Sequence, residues 1–241
     1  MSFVLGNVGR VLVNGVSVSA TLSGWAVSHQ RATSEVTTLP ESGAKFVPGL
    51  MSGSVTVRGP QDSTGQSLHA QIAAAIGVDN AFLATICPDG TALGSFAMTV
   101  LGDVSEYAID ASVSDAVGFT MTAAADESVD MGFLVHGLTA ETVDGNGTAV
   151  DRGVGVTTTG GGVGVLSVTA FTGLTSIGVK IQHSTDNVSW FDLITFTSVT
   201  ATATAERKFL AAGTTVNRYV RAVTDVTGTG SATFLVALSP R

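Results

Sequence analysis

Short runs in which hydrophobic and polar residues alternate recur along most of this chain and predict strands. Residues 11–18 (VLVNGVSV) predict a hairpin, with Asn14-Gly15 as a type I′ turn because both residue types tolerate positive φ. The same alternation predicts further strands in the first half, at 21–28, 53–59, 81–86, 93–101, 105–112 and 117–124. The chain is therefore predicted to be mainly β.

A single helix is the exception, at about residues 64–76. Asp62, Ser63 or Thr64 is expected to cap its beginning. Four residues at helical spacing form one apolar stripe, and a glycine is expected to end the helix: Leu68, Ile72, Ala75, Ile76 and then Gly77.

The second half of the chain has closely spaced strand patterns and no helix pattern. The predicted strands are 163–171, 178–183, 191–197, 202–209, 219–225 and 232–238. Short strands separated by turns predict a β-sandwich of about 100 residues, of the immunoglobulin-like kind. We therefore predict two domains, a barrel or sandwich with one helix at 1–130 and a second sandwich at 131–241.

Composition adds a prediction about the surface. Charged residues make up 12% of the chain and the mean hydropathy is +0.41. Such a chain either buries part of its surface between subunits or has a large, ordinary hydrophobic core between its β-sheets. The sequence leaves both possibilities open. It favours no membrane partner, because the long uncharged run 153–179 is rich in glycine and alternates like strands.

Residues 29–52 depart from the strand pattern. The stretch is longer than an ordinary connection, and such loops are usually functional or disordered. We predict a loop that is mobile in the monomer and is buried against a neighbouring subunit. Its predicted contact residues are Leu39, Pro40, Phe46, Val47, Pro48 and Leu50.

The charge is concentrated in the first half. Residues 1–130 hold four basic and twelve acidic side chains, a net charge of −8, whereas residues 131–241 are neutral. An acidic surface repels nucleic acid. Residues four apart share a strand face, so Glu106 and Asp110 are predicted to point the same way. With Asp103 and Asp115 they are candidates for a face that lines an acidic channel. An ordinary solvated face is the alternative.

The sequence contains no recognisable catalytic or metal-binding pattern. The histidines, at 29, 69, 136 and 183, are not at metal-ligand spacing, and Cys87 is interpreted as a buried structural thiol. We therefore predict no enzyme activity and no cofactor. Trp190 and Tyr219 either fill the core or stack on sugars.

Two stretches, 33–39 (TSEVTTL) and 46–59 (FVPGLMSGSVTVRG), resemble the tail tube (major tail) proteins of long-tailed bacteriophages. That family has a strand, a long loop, a "PG…SG.V…G" strand, a helix and further strands. Residues 179–190 (VKIQHSTDNVSW) and 218–222 (RYVRA) are similar to sandwich domains appended to such proteins. The resemblance covers nearly the whole chain.

The resemblance implies a structural protein of the virion tail that is assembled in the host cytoplasm. It implies hexameric rings stacked into a tube, an inner barrel that DNA crosses, and a second domain that decorates the outside. The implied partners are further copies of the chain, the tape measure protein, the tail terminator and tip proteins, and DNA in transit. Host-surface glycans are a further implied partner.

Two other structural roles and one enzymatic role compete with this interpretation. A head or neck decoration protein would form trimers or other small assemblies without tubes. A carbohydrate-binding adhesin would act through the second domain alone. A hydrolase is the least favoured, because no catalytic constellation is present in the sequence.

Overall fold

The computed structural model describes residues 8–38, 42–61, 67–112 and 116–241. Its strands are β1 (Arg10–Val13), β2 (Val16–Ser17), β3 (Gly24–Glu35), β4 (Phe46–Pro60), β5 (Phe82–Cys87), β6 (Phe96–Asp110), β7 (Gly118–Ala125), β8 (Asp130–Glu141), β9 (Gly145–Asn146), β10 (Val150–Asp151), β11 (Val156–Thr157), β12 (Gly162–Ser184), β13 (Phe191–Thr195), β14 (Thr204–Leu210), β15 (Thr215–Val216) and β16 (Tyr219–Pro240). One α-helix, α1, spans Ser67–Ala75. The mainly-β prediction is confirmed. Within the described residues no helix is long and apolar enough to cross a membrane.

The chain forms two compact units that interleave along the sequence. The first unit, which we call the sandwich unit after the prediction for residues 131–241, contains residues up to Ala20, Leu83–Thr99 and Asp130–Arg241. The arm unit contains Thr21–Phe82 and Val100–Val129. Whether residues 1–130 and 131–241 fold as independent domains stays a prediction.

Two long strands organise the sandwich unit. β12 and β16 pair antiparallel from Gly162↔Pro240 to Ser184↔Tyr219, with register shifts in between. The 234–238 segment of β16 is buried on both faces, because its alternate residues enter two different cores. Phe234, Val236 and Leu238 belong to the larger core, whereas Leu235 and Ala237 pack in a cluster with Leu12, Cys87, Ala97 and Leu134.

The predicted N-terminal hairpin is confirmed. Val13 pairs with Val16 across the turn, and the turn residues Asn14 and Gly15 have φ values of 48° and 79°. Glycine is also required at position 15 by space, since a Cβ there would lie 2.6 Å from the backbone nitrogen of Thr204. The turn sequence therefore suits both the hairpin conformation and the close approach of the backbone at Thr204.

The arm unit is a four-stranded antiparallel sheet in the order β3-β4-β7-β6. The helix packs on one face of it, where the His69 ring meets the edges of Tyr107 and Phe119 at centroid distances of 5.6 Å. Leu68, Ile72 and Ala75 are buried, as the apolar stripe predicts.

The end of the helix differs from the prediction. Ile76 is 51% exposed, because α1 ends at Ala75, and Gly77 then adopts a φ of 75°. The predicted capping residues 62–64 lie outside the described residues.

Three pairs of predicted strands are single long strands. Most of 93–101 and 105–112 belongs to β6, which spans Phe96–Asp110, while 163–171 and 178–183 belong to β12 and 219–225 and 232–238 to β16. The separation was wrong because register shifts interrupt the alternation of side chains without ending the pairing. For the same reason β8, which carries two register shifts, was not predicted.

Candidate assembly surface

The stretch predicted as a long loop is mostly strand. Residues 29–35 of β3 pair with residues 46–52 of β4, and we call this paired segment the arm. Pro48 is tolerated in β4 because β7 pairs only with residues 54–60 of that strand, so one edge of β4 has no β7 partner at the arm. Every residue of the arm is exposed. Phe46, Val47, Pro48 and Leu50 therefore lie on a strand, while Leu39 and Pro40 lie outside the described residues.

A β-bulge sets which arm residues share a face. Arg31 pairs with Met51 and Thr33 with Pro48, so two residues of β4, Gly49 and Leu50, oppose one of β3. The Arg31 Nε donates a hydrogen bond of 3.1 Å to the Gly49 carbonyl and holds the bulge. Since directly opposed residues share a face, the bulge puts Pro48 on the same face as Met51.

That face continues the hydrophobic core of the arm unit. Along β4, Met51 is followed at every second position by Gly53, Val55 and Val57, and both valines are fully buried. In the other direction the same face carries Pro48 and Phe46. Phe46 is 59% exposed and Met51 is 44% exposed. We call Phe46, Pro48 and Met51 the apolar strip.

Exposed apolar residues in a row mark an interaction site more often than scattered ones do. In the arm unit the apolar face is covered where the helix lies and exposed along the strip. Leu50, in the bulge, is 87% exposed and adds to the apolar surface of the arm. The apolar strip therefore resembles a hydrophobic core surface in composition, and such a surface is normally covered by another subunit or protein.

The opposite face of the sheet is polar. Ser28 and Ser54 are joined across β3 and β4 by a hydrogen bond of 2.8 Å, and Thr56 and Thr122 across β4 and β7 by one of 3.1 Å. Glu106 is directly opposite Thr122, so it lies on this face, and it is exposed. Hydroxyl groups and carboxylates thus share one surface, which we call the polar face.

The acidic candidates differ in their exposure and in their hydrogen bonds. Asp110, opposite Gly118, shares the polar face with Glu106, as the four-residue spacing predicts. Asp103 joins them because a register shift at Ser105 changes the alternation. Its Oδ1, however, accepts the backbone N–H of Asn80 at 2.6 Å, and it is partly buried.

The position of Asp115, the fourth acidic candidate, lies outside the described residues. Glu106 and Asp110 are therefore the exposed carboxylates that the described part of the polar face offers among the four candidates.

The two aromatic candidates of the sandwich unit are half-buried. An arginine guanidinium lies over each ring, Arg221 at 4.1 Å from the Trp190 centroid and Arg218 at 4.8 Å from that of Tyr219. One face of each ring is thus already occupied by a cation–π contact. Sugar stacking at these residues stays a prediction.

A hydrogen-bonded turn precedes Trp190. The Asp186 carboxylate accepts the backbone N–H groups of Ser189 and Val188, at 2.8 and 2.9 Å, and the Ser184 hydroxyl at 2.8 Å. The backbone N–H groups of Ser189 and Val188, followed by the Ser184 hydroxyl, lower the pKa of Asp186 from 3.8 to about 2.

We expect the carboxyl carbon of Asp186 to titrate near pH 2 in an NMR experiment on the folded chain. A depressed folded-state pKa stabilises the turn above pH 3.8, and this stabilisation is lost as the pH falls through 2. Ser184→Ala should raise the midpoint, because it removes one donor. A midpoint at 3.8 in the wild type would contradict the hydrogen-bonding pattern.

Cys87 is buried, as predicted, and burial raises the pKa of its thiol to about 12. A thiol with so high a pKa forms almost no thiolate near neutral pH, and the thiolate is the reactive form. Cys87 therefore serves as a packing residue of the smaller core.

No family model matches the sequence, and no curated protein matches it either. The tail of an empty gene transfer agent particle has a chain with a TM-score of 0.40 and 13% identity, over 51% of this chain and 92% of that one. The Dit protein of phage SPP1, described as a hub adsorption apparatus, gives a TM-score of 0.37 and 10% identity, over 96% and 98%. TM-scores below 0.5 do not establish a common fold.

Proposed function

We propose that this chain is a structural subunit of a phage tail, which polymerises into stacked rings around a channel for DNA. The observation that carries the proposal is the two-faced sheet of the arm unit. One face is apolar and continues past its own core as the exposed strip, whereas the other is polar and carries Glu106 and Asp110. The sequence resemblance to tail tube proteins supports the same role.

The edge of the sheet suits ring formation. Among the described residues β3 pairs with β4 alone, so this strand of twelve residues is an edge strand. Unpaired edges invite pairing with another chain, and a closed barrel removes them. Six copies would contribute four strands each, more than the roughly 16 strands at which β-barrels enclose a water-filled channel.

In this arrangement the polar face lines the channel. Hydroxyl groups hydrate the wall, and the carboxylates of Glu106 and Asp110 repel phosphates, so that DNA passes without binding. Each ring multiplies the effect by its number of copies. The tape measure protein then occupies the channel before DNA does.

Electron microscopy of the concentrated full-length protein tests the proposal. We expect stacked rings or tubes of uniform diameter with a central channel. Compact trimers without a channel would instead support a head or neck decoration protein, and a monomer at all concentrations would contradict assembly by this chain alone.

We expect the double variant Glu106→Lys, Asp110→Lys to assemble and to retain duplex DNA, which the wild type does not. Exchanging two carboxylates for two ammonium groups on every copy creates a basic ring, and phosphate contacts of this kind weaken steeply as salt is added. Filter binding at several salt concentrations measures the effect.

The matched control is the double variant Asp89→Lys, Asp225→Lys, which changes the charge by the same amount at two exposed positions outside the polar face. Equal DNA retention by the control and by the Glu106, Asp110 variant would show that total charge, and not the polar face, governs the contact with DNA.

A further inference from the structure

We propose that a cavity in the sandwich unit binds a neutral saccharide unit, with His136 and Glu141 as its polar anchors. The cavity has a volume of 360 Å³. It is formed by β8, β9 and β16 together with the turn at residues 91–93, and the polar residues that line it include Thr91, His136, Glu141, Asn146, Thr148 and Thr224. The inference does not depend on a role in tail assembly.

One register shift in β8, between His136 and Thr139, builds this site. In the pairing with β16, His136 is opposite Val236 and Glu141 is opposite Ala232, and residues 232 and 236 share one face. Residues five apart on a regular strand would face opposite sides. The single shift between them reverses the alternation, so that the His136 Nε2 lies 3.0 Å from the Glu141 Oε1. Bulges frequently redirect side chains in this way beside functional sites.

The imidazole ring of His136 is held in position by its neighbours, but one of its nitrogens has no hydrogen-bond partner. Its side chain is 10% exposed and stacks on the Phe234 ring at a centroid distance of 4.2 Å. Its Nδ1 is buried and has no hydrogen-bond partner within the described part of the chain. A buried polar atom in a native structure normally has a partner, and a bound molecule is one such partner. A ligand hydroxyl could donate to this nitrogen or accept from it.

Closely packed backbone forms part of the cavity wall. A Cβ at Gly137 would lie 2.5 Å from the carbonyl oxygen of Thr91, and a Cβ at Gly147 would lie 2.8 Å from that of Ala222. Both glycines line the cavity, and side chains at these positions would force the walls apart. The shape therefore depends on glycine at both places.

The lining residues indicate the class of ligand. They offer an imidazole, a carboxylate, a carboxamide and several threonine hydroxyls, and they include no lysine or arginine. Such a set can hydrogen-bond a polyhydroxyl compound, whereas Glu141 repels an anionic one. The volume is near the lower end of ligand pockets, which run from about 300 to 1,000 Å³, and suits a single sugar residue.

Saturation-transfer NMR on the full-length protein tests the inference, because the method works for monomers and for large assemblies. The probes are D-glucose, D-galactose and N-acetyl-D-glucosamine, with D-glucuronate as the anionic counterpart of glucose. We expect saturation transfer to at least one neutral sugar, with a dissociation constant near about 1 mM, and none to glucuronate. Absence of transfer to all three neutral sugars, or equal transfer to glucuronate, would overturn the proposal.

Two variants locate the site. His136→Asn should weaken binding roughly tenfold or more, since it removes an anchoring hydrogen bond. Glu141→Gln keeps the size of the side chain but removes its charge, so this variant should allow glucuronate to bind. It tests the site even if the His136 variant fails to fold. Trp190→Ala, which removes the aromatic ring and lies outside the cavity, should leave binding unchanged. Loss of binding in the Trp190 variant alone would assign the sugar to the aromatic surface and refute the cavity.

Discussion

Replacing Asp130 with alanine is expected to destabilise the folded chain by about 3–5 kcal/mol. The Asp130 carboxylate is 1% exposed and binds two arginines, with Oδ2 at 3.0 Å from Arg207 Nη2 and Oδ1 at 2.5 Å from Arg241 Nε. Arg207 is itself 7% exposed, so removal of the carboxylate takes away a group that compensates the desolvation of its guanidinium. Removing one partner of a buried ion pair lowers the free energy of unfolding far more than removing one partner of an exposed pair.

Thermal and urea unfolding measure this effect. The matched control is Asp151→Ala, because Asp151 also binds an arginine, Arg218, at 2.6 Å, but both side chains are more than 40% exposed. Water and salt screen this pair, so we expect little change in stability. Asp130→Asn isolates the charge, since it keeps the size of the side chain. Equal melting temperatures for the Asp130→Ala and Asp151→Ala variants would show that the buried cluster does not stabilise the sandwich unit.

The double variant Phe46→Glu, Met51→Glu is expected to abolish rings and tubes while leaving the isolated chain folded. Both side chains are exposed in the single chain, so the substitutions add little strain there. In the proposed assembly the apolar strip is buried against a neighbour, and a carboxylate without a partner in such a contact costs several kcal/mol. That cost recurs in every copy, which makes the effect on polymerisation large.

Sedimentation and electron microscopy measure assembly, and circular dichroism measures folding. Val154→Glu is the matched control, since Val154 is 69% exposed and lies outside the arm. Tubes that form equally well from the double variant and from the control would show that the apolar strip is not the assembly contact. An unfolded double variant would show that the strip stabilises the single chain, contrary to its exposure.

The sequence by itself determined the parts of this protein that depend on local chemistry. Asn14-Gly15 closes its hairpin because both residues accept positive φ. The apolar stripe of α1 buries Leu68, Ile72 and Ala75 because helical spacing places them on one side. Glu106 and Asp110 share a face because strand residues four apart always do, provided that no bulge lies between them.

Only the tertiary structure decided the features that depend on bulges and on distant pairing. A bulge at Gly49 and Leu50 aligns Phe46 and Pro48 with the buried valines of β4, and a shift at Ser105 adds Asp103 to the polar face. Local sequence does not reveal such insertions, because a bulge inverts the alternation on which strand prediction depends.

Pairing between residues far apart in the sequence also hid strand β8 and the ion pairs of Asp130 from sequence-based prediction. Asp130 ends the predicted first domain, and in the sequence it follows Asp126 and Glu127 in an acidic run, whereas the structure buries it between arginines 77 and 111 residues away. A carboxylate in an acidic run is normally solvated, and only its partners in space make burial tolerable. His136 and Glu141 meet for a similar reason, because one register shift in the pairing with β16 brings together two side chains that a regular strand would place on opposite faces.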